Sequence, residues 1–141
     1  MKLLKTSAYP FLLCRLATGL IFFSEGIQKV IKPAEVGAGR FEKIGFPDPA
    51  FWAHFTASFE IVCGILIIIG LITRLATIPL LIIMAVAFVT TKIPILADKG
   101  FWAMAHEYRA DFAMTLLLLL LLIYGAGANS VDYKQGKRSI T

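Results

Sequence analysis

The stretch that decides the fold runs from Ala50 to Ile95 and reads AFWAHFTASFEIVCGILIIIGLITRLATIPLLIIMAVAFVTTKIPI. Its full charges are Glu60, Arg74 and Lys92. As one helix it would extend about 69 Å at ~1.5 Å per residue, roughly twice the ~30 Å hydrocarbon core of a bilayer. It must fold back on itself, and Gly70 with Thr73-Arg74 offers the break. This predicts one helix over residues 50–72 and another over residues 75–95. Asp48-Pro49 is a start signal for the earlier of the two, and Trp52 is placed for the aromatic belt at the membrane surface. Pro79 falls near the start of the later one, where a kink costs little, and Pro94 is expected to end it.

Working outward, a first apolar helix is expected over residues 9–31, with Pro10 in its first turn and Lys32-Pro33 closing it. A last one is expected over residues 106–124, broken by Gly125-Ala126-Gly127. The predicted fold is all-α: an integral membrane four-helix bundle forming a single domain over residues 1–141. Between the first two spans, Val36, Phe41, Ile44 and Phe46 are spaced to line one side of a short amphipathic helix lying on the membrane. Residues 96–105 read as a polar connection. Arg15 interrupts the first apolar stretch and no small-residue exit follows, so no cleaved signal peptide is expected.

Composition agrees with a lipid solvent. Of the 141 residues, 58% are hydrophobic and 16% charged, against about 25% charged in soluble domains. The net charge of +5 gathers at the ends and in the connections, where cations meet anionic headgroups. No nucleic-acid motif accompanies it, so no nucleic-acid partner is expected, and the lipid bilayer is the first partner. Four spans put both termini on one side, read here as the cytoplasmic side of a bacterial inner membrane. Cys14 and Cys63, without C-x-x-C spacing, read as packing residues. His54 and His106 begin two helices on the same side; both positions suit interfacial histidines, and no metal site is expected.

The informative residues are ionisable groups inside the spans, each costing ~2.5–3.5 kcal/mol or more at mid-membrane. They are Arg15, Glu25 and Lys29 on the first helix, Glu60 on the second, and Arg109 and Asp111 on the fourth, with Lys92 near the end of the third. At about 100° per residue, Arg15, Gly19, Phe22, Gly26 and Lys29 share a narrow face. Ala53, Thr56, Glu60, Gly64 and Ile67 share another. Glycines Gly19, Gly26, Gly64 and Gly70 read as helix-packing positions. By depth, Glu25, Lys29, Glu60, Arg109 and Asp111 are expected to meet in the half of the bundle facing the longer loops. Such a cluster fixes helix register, or binds a ligand or proton; the residues leave both readings open.

Three segments carry a resemblance: RLATGLIFFSEGIQK (Arg15–Lys29), EIVCGILIIIGLITR (Glu60–Arg74) and GAGANSVD (Gly125–Asp132). With the FEKIGFP connection (Phe41–Pro47), their order and spacing resemble the DoxX family of small four-helix membrane proteins. The matching positions are Arg15, Gly19, Gly26, Lys29, Glu60, Gly64, Gly70 and Arg74. The resemblance implies a role beside a membrane redox complex, since the family is named for a subunit of a thiosulfate:quinone oxidoreductase. Quinone is then the implied cofactor, and a membrane redox protein or a second copy the implied partner. Alternatives are a small-solute transporter or binding protein, or a non-catalytic scaffold.

Overall fold

The computed structural model describes residues 8–138, with side chains over residues 9–136, and every regular element among them is helical. In chain order these are α1 (Ala8–Ile31), α2 (Ala38–Ile44), α3 (Pro49–Ile69), α4 (Thr73–Ala87), a π turn (Phe88–Lys92), α5 (Ile93–Lys99), α6 (Phe101–Tyr124) and α7 (Val131–Arg138). Among the described residues, three stretches are long and apolar enough to cross a membrane: Tyr9–Ile31, Pro49–Ile69 and Thr73–Lys99. The fourth long helix, α6, matches α1 at 24 residues. It carries Glu107, Arg109 and Asp111 in its first half, and seven consecutive leucines, Leu116 to Leu122, in its second.

The four long rods form a ring: α1 packs on α3, α3 on α4, α4 on α6, and α6 back on α1. The α1–α3 contact is the closest, and glycine makes it so. A Cβ on Gly19 would sit 2.7 Å from the Gly64 carbonyl oxygen, and one on Gly64 would sit 2.9 Å from that of Gly19. Two backbones in direct contact leave no room for either. Gly26 lies against Ala57 in the same seam.

The hairpin is tighter than expected. The second span ends at Ile69, not residue 72, and the third starts at Thr73. Gly70 (φ 72°) takes the left-handed conformation, and the Leu71 N–H returns 2.9 Å to the Leu66 carbonyl. This closed helix end needs only three residues between rods. Gly70 caps the helix, and its missing side chain also makes room for the guanidinium of Arg15 from α1.

The larger departure is at Pro94, which does not end the third span. A proline removes one N–H and crowds the carbonyl four residues back, here Thr90. The chain absorbs this in the π turn over Phe88–Lys92 and continues as α5 to Lys99. The expected connection over residues 96–105 therefore shrinks to Gly100, and α6 begins at Phe101, five residues before residue 106. Asp48 precedes α3 as expected, with Pro49 in the first turn, although its side chain makes no capping bond. A short helix is present as α2, which includes Phe41 and Ile44 but leaves Val36 and Phe46 outside it.

Packing is uneven along the bundle. Phe22, Cys63, Ile67, Leu80, Leu118 and Leu121 form the buried core. All belong to the middle or to the half nearer the chain termini. The half facing the α2 and Gly100 connections is filled differently.

Candidate functional site: an ionic cavity in one half of the bundle

Side chains on a helix lean toward its N-terminus. Lys29 sits near the loop-side end of α1, so its stem leans back toward mid-membrane. There it meets Glu60, which lies about 16 Å along α3 at ~1.5 Å per residue. Lys29 Nζ stands 3.1 Å from Glu60 Oε1 and 2.8 Å from Oε2, and 3.9 Å from Glu25 Oε2. Glu60 is 4% exposed. One lysine thus bridges two carboxylates, one deep and one half-exposed.

A second pair repeats this plan. Lys92 reaches back from the π turn and places Nζ 3.3 Å from Asp111 Oδ2. Lys92 is buried because of the π turn. The inner face of α4 runs through Thr73, Thr77 and Leu80, and at 3.6 residues per turn it would reach position 91. One extra residue in the turn rotates position 92 inward instead.

All of these groups except Lys92 line a cavity of about 610 Å³, within the ~300–1,000 Å³ typical of small-molecule sites. Glu25, Lys29, Glu60 and Asp111 supply its polar side, with Arg40 contributed by α2. Phe22 and Met114, at the edge of the core, also line it. Aromatic walls come from Phe41, Phe46, Trp52, Phe55 and Phe59. Lining residues Ile21, Phe55, Ile82 and Val86 are also exposed on the outer surface. The cavity therefore opens sideways, between α1/α3 and α4, into the lipid.

Of the singled-out ionisable residues, Glu25, Lys29, Glu60 and Asp111 converge on this cavity. Arg109 does not. It is exposed, and its Nη1 donates to the His106 carbonyl of its own helix. It sits two residues before Asp111, about 200° around the helix, so the two cannot share a face. His54 is also exposed, its Nδ1 3.0 Å from the Ala50 carbonyl oxygen. His106 is exposed too.

Arg15 is separate for another reason. It is 1% exposed but lies at the opposite end of the bundle, where its Nη2 donates to the Asn129 carbonyl. That end is a latch. Asp132 accepts the Ile72 N–H at 2.6 Å and the Thr73 N–H at 2.9 Å, and its own N–H donates to the Gly70 carbonyl at 2.8 Å. A residue some sixty positions away thus caps the start of α4 and holds Ile72 at φ 44°, a costly conformation for a β-branched side chain. Arg74 Nη2 donates to the Ile123 carbonyl at 3.1 Å, tying the hairpin to the end of α6. Arg15, Gly70, Arg74 and the segment from Gly125 to Asp132 are one structural unit.

Lys92, read from the sequence as an ionisable residue near the end of the third span, was not placed in the expected cluster. Phe51-Trp52-Ala53 recurs as Phe101-Trp102-Ala103, and an acid follows each phenylalanine after nine and ten residues, Glu60 and Asp111.

Fold and cavity define a small helical integral membrane protein with paired charges held inside its bundle. Residues 11–93 match the family model described as DoxX, and the chain belongs to the DoxX family. It is 46% identical over 145 residues to an uncharacterized membrane protein of Mycobacterium tuberculosis, covering 98% of this chain and 89% of that one. It is 35% identical over 123 residues to a Bacillus subtilis protein named putative oxidoreductase CatD, covering 86% of this chain and 83% of that one. No solved structure matches it at a significant level.

Proposed function

We propose that this protein is a small membrane subunit of a quinone-linked redox system, and that its cavity receives the quinone from the bilayer. The observation that carries this reading is the sideways-opening cavity of about 610 Å³ with the Lys29–Glu60 pair and Asp111, itself held by Lys92, at its polar side. A quinone needs hydrogen-bond donors for its two carbonyls, a flat apolar slot for its ring and an exit for its tail. Lys29 and Arg40 supply donors, Phe55 and Phe59 supply a wall, and the mouth beside Ile82 and Val86 leads into lipid. The residues fit the group.

A bound quinone supplies two-electron, two-proton redox chemistry. The chain's part is to hold the head group, exclude bulk water and carry protons on carboxylates. Glu60 and Asp111 lie within reach of the cavity, and Glu25 connects Lys29 to the loop side. Electrons are exchanged with a partner redox protein, and the relative named a putative oxidoreductase supports that setting. A through-path for a solute is less well supported, because Phe22, Leu80 and Leu118 pack closed the half of the bundle beyond the cavity. We place the termini on the cytoplasmic side of a bacterial inner membrane.

The test is saturable binding of a short-chain quinone to purified protein in nanodiscs. Glu60→Gln, which keeps the shape and leaves Lys29 its contact with Glu25, is expected to weaken it about tenfold, ~1.4 kcal/mol. Unchanged binding in that variant would remove the cavity from the reading.

A further inference from the structure

We propose that the same cavity is a receptor for lipophilic organic cations, molecules whose delocalised or quaternary positive charge is wrapped in apolar groups. This goes beyond the quinone reading; it shares the cavity but requires no redox chemistry.

The first observation is the aromatic wall. Phe41, Phe46, Trp52, Phe55 and Phe59 form a continuous chain of edge contacts, with ring centroids 5.3, 6.1, 5.7 and 5.0 Å apart. All five line the cavity. Aromatic faces carry negative potential and attract a cation, most strongly where water is excluded. A quaternary cation cannot donate hydrogen bonds, so such a wall suits it better than a polar pocket does.

The second observation is the balance of charge. Glu25, Glu60 and Asp111 line the cavity with Lys29 and Arg40, and Lys92 pairs with Asp111 from outside the lining, so formal charge balances and what matters is which acid is least neutralised. Lys29 is shared, at 2.8 Å from Glu60 and 3.9 Å from Glu25. Glu25 is therefore the weakly neutralised acid, with its side chain 44% exposed. Asp111 is held through Oδ2 by Lys92, with its side chain a third exposed. Arg40 is exposed on α2 and makes no ion pair among the described residues. It is the chain's own cation at the cavity roof, so it opposes a cationic ligand and favours an anionic one. That opposition gives the test its sign.

The third observation is access. The mouth opens among exposed apolar side chains, so the ligand enters from the bilayer, where lipophilic cations accumulate.

The experiment is equilibrium dialysis of tetraphenylphosphonium against the protein in nanodiscs of zwitterionic lipid, with empty nanodiscs subtracted. Tetraphenylborate, of the same shape and opposite charge, serves as the control. Saturable binding of the cation alone is expected, weakened about tenfold by Glu25→Gln and tightened several-fold by Arg40→Gln. Both substitutions are at partly or fully exposed positions, and a gel-filtration profile confirms that the variants fold. Non-saturable binding overturns the proposal. So does equal binding of the borate, or cation binding that neither variant changes. Loss of quinone binding with cation binding intact would remove the quinone reading alone, and the converse result would remove this one.

Discussion

At the scale of single residues, the buried lysine–carboxylate pairs are where stability and function separate. Removing one partner of a buried ion pair leaves a charge stranded, which typically costs ~3–5 kcal/mol. Lys29→Met alone is therefore expected to destabilise the protein by about that much, by chemical unfolding in detergent. Pairing it with Glu60→Leu removes both charges and should recover most of the loss, since apolar replacements of whole pairs are often neutral. The double variant should still fail to bind quinone. If it binds normally, the pair is only a register device. Glu60 and Lys29 were legible in the sequence because a charge among apolar residues is conspicuous and helical spacing gives its face. Arg109 was misplaced because depth was weighed without angle: it reaches the right level of the membrane on the wrong side of α6.

At the scale of elements, two devices position the site. The first is the π turn ahead of Pro94. Pro94→Ala restores the missing N–H and is expected to let the turn relax to α, swinging Lys92 about 100° away from Asp111. Acylation of the Lys92 amine, mapped by peptide mass spectrometry, reports this. It should be slow with Pro94 present, where the amine is buried against Asp111, and faster in Pro94→Ala; equal rates would show that the proline does not set the turn. The second device is the latch at the other end. Asp132→Ala leaves the Ile72 and Thr73 N–H groups without their acceptor, at a cost of about 1–3 kcal/mol, and proteolysis at the hairpin should quicken. Pro79 and Pro94 look alike as punctuation in the sequence. That the second bulges the helix without ending it depends on α6 packing alongside, which no local pattern contains. The Asp132 cap joins segments some sixty residues apart and was unreadable for the same reason.

At the scale of the whole molecule, the apolar blocks and their breaks made the helical membrane fold legible, while the division of labour along the bundle was not. One half is closed by leucine, isoleucine and phenylalanine, and the other is kept open by charges facing one another. Depth arithmetic brought the ionisable residues to that half, yet only the assembled ring shows that a cavity remains between them. Its orientation is open to measurement: reporter fusions after Lys134 should be active on the cytoplasmic side, and fusions in the connection after Lys32 on the far side. Reversed signals would place the cavity mouth in the inner leaflet.

The most direct measurement is photolabelling with an azido-quinone in nanodiscs, mapped by peptide mass spectrometry. Label is expected on Phe55, Phe59, Ile82 and Val86, abolished by excess unlabelled quinone. Label spread over lipid-facing positions such as Val62, Leu75 and Ile123, undiminished by competitor, would contradict a quinone site inside the bundle.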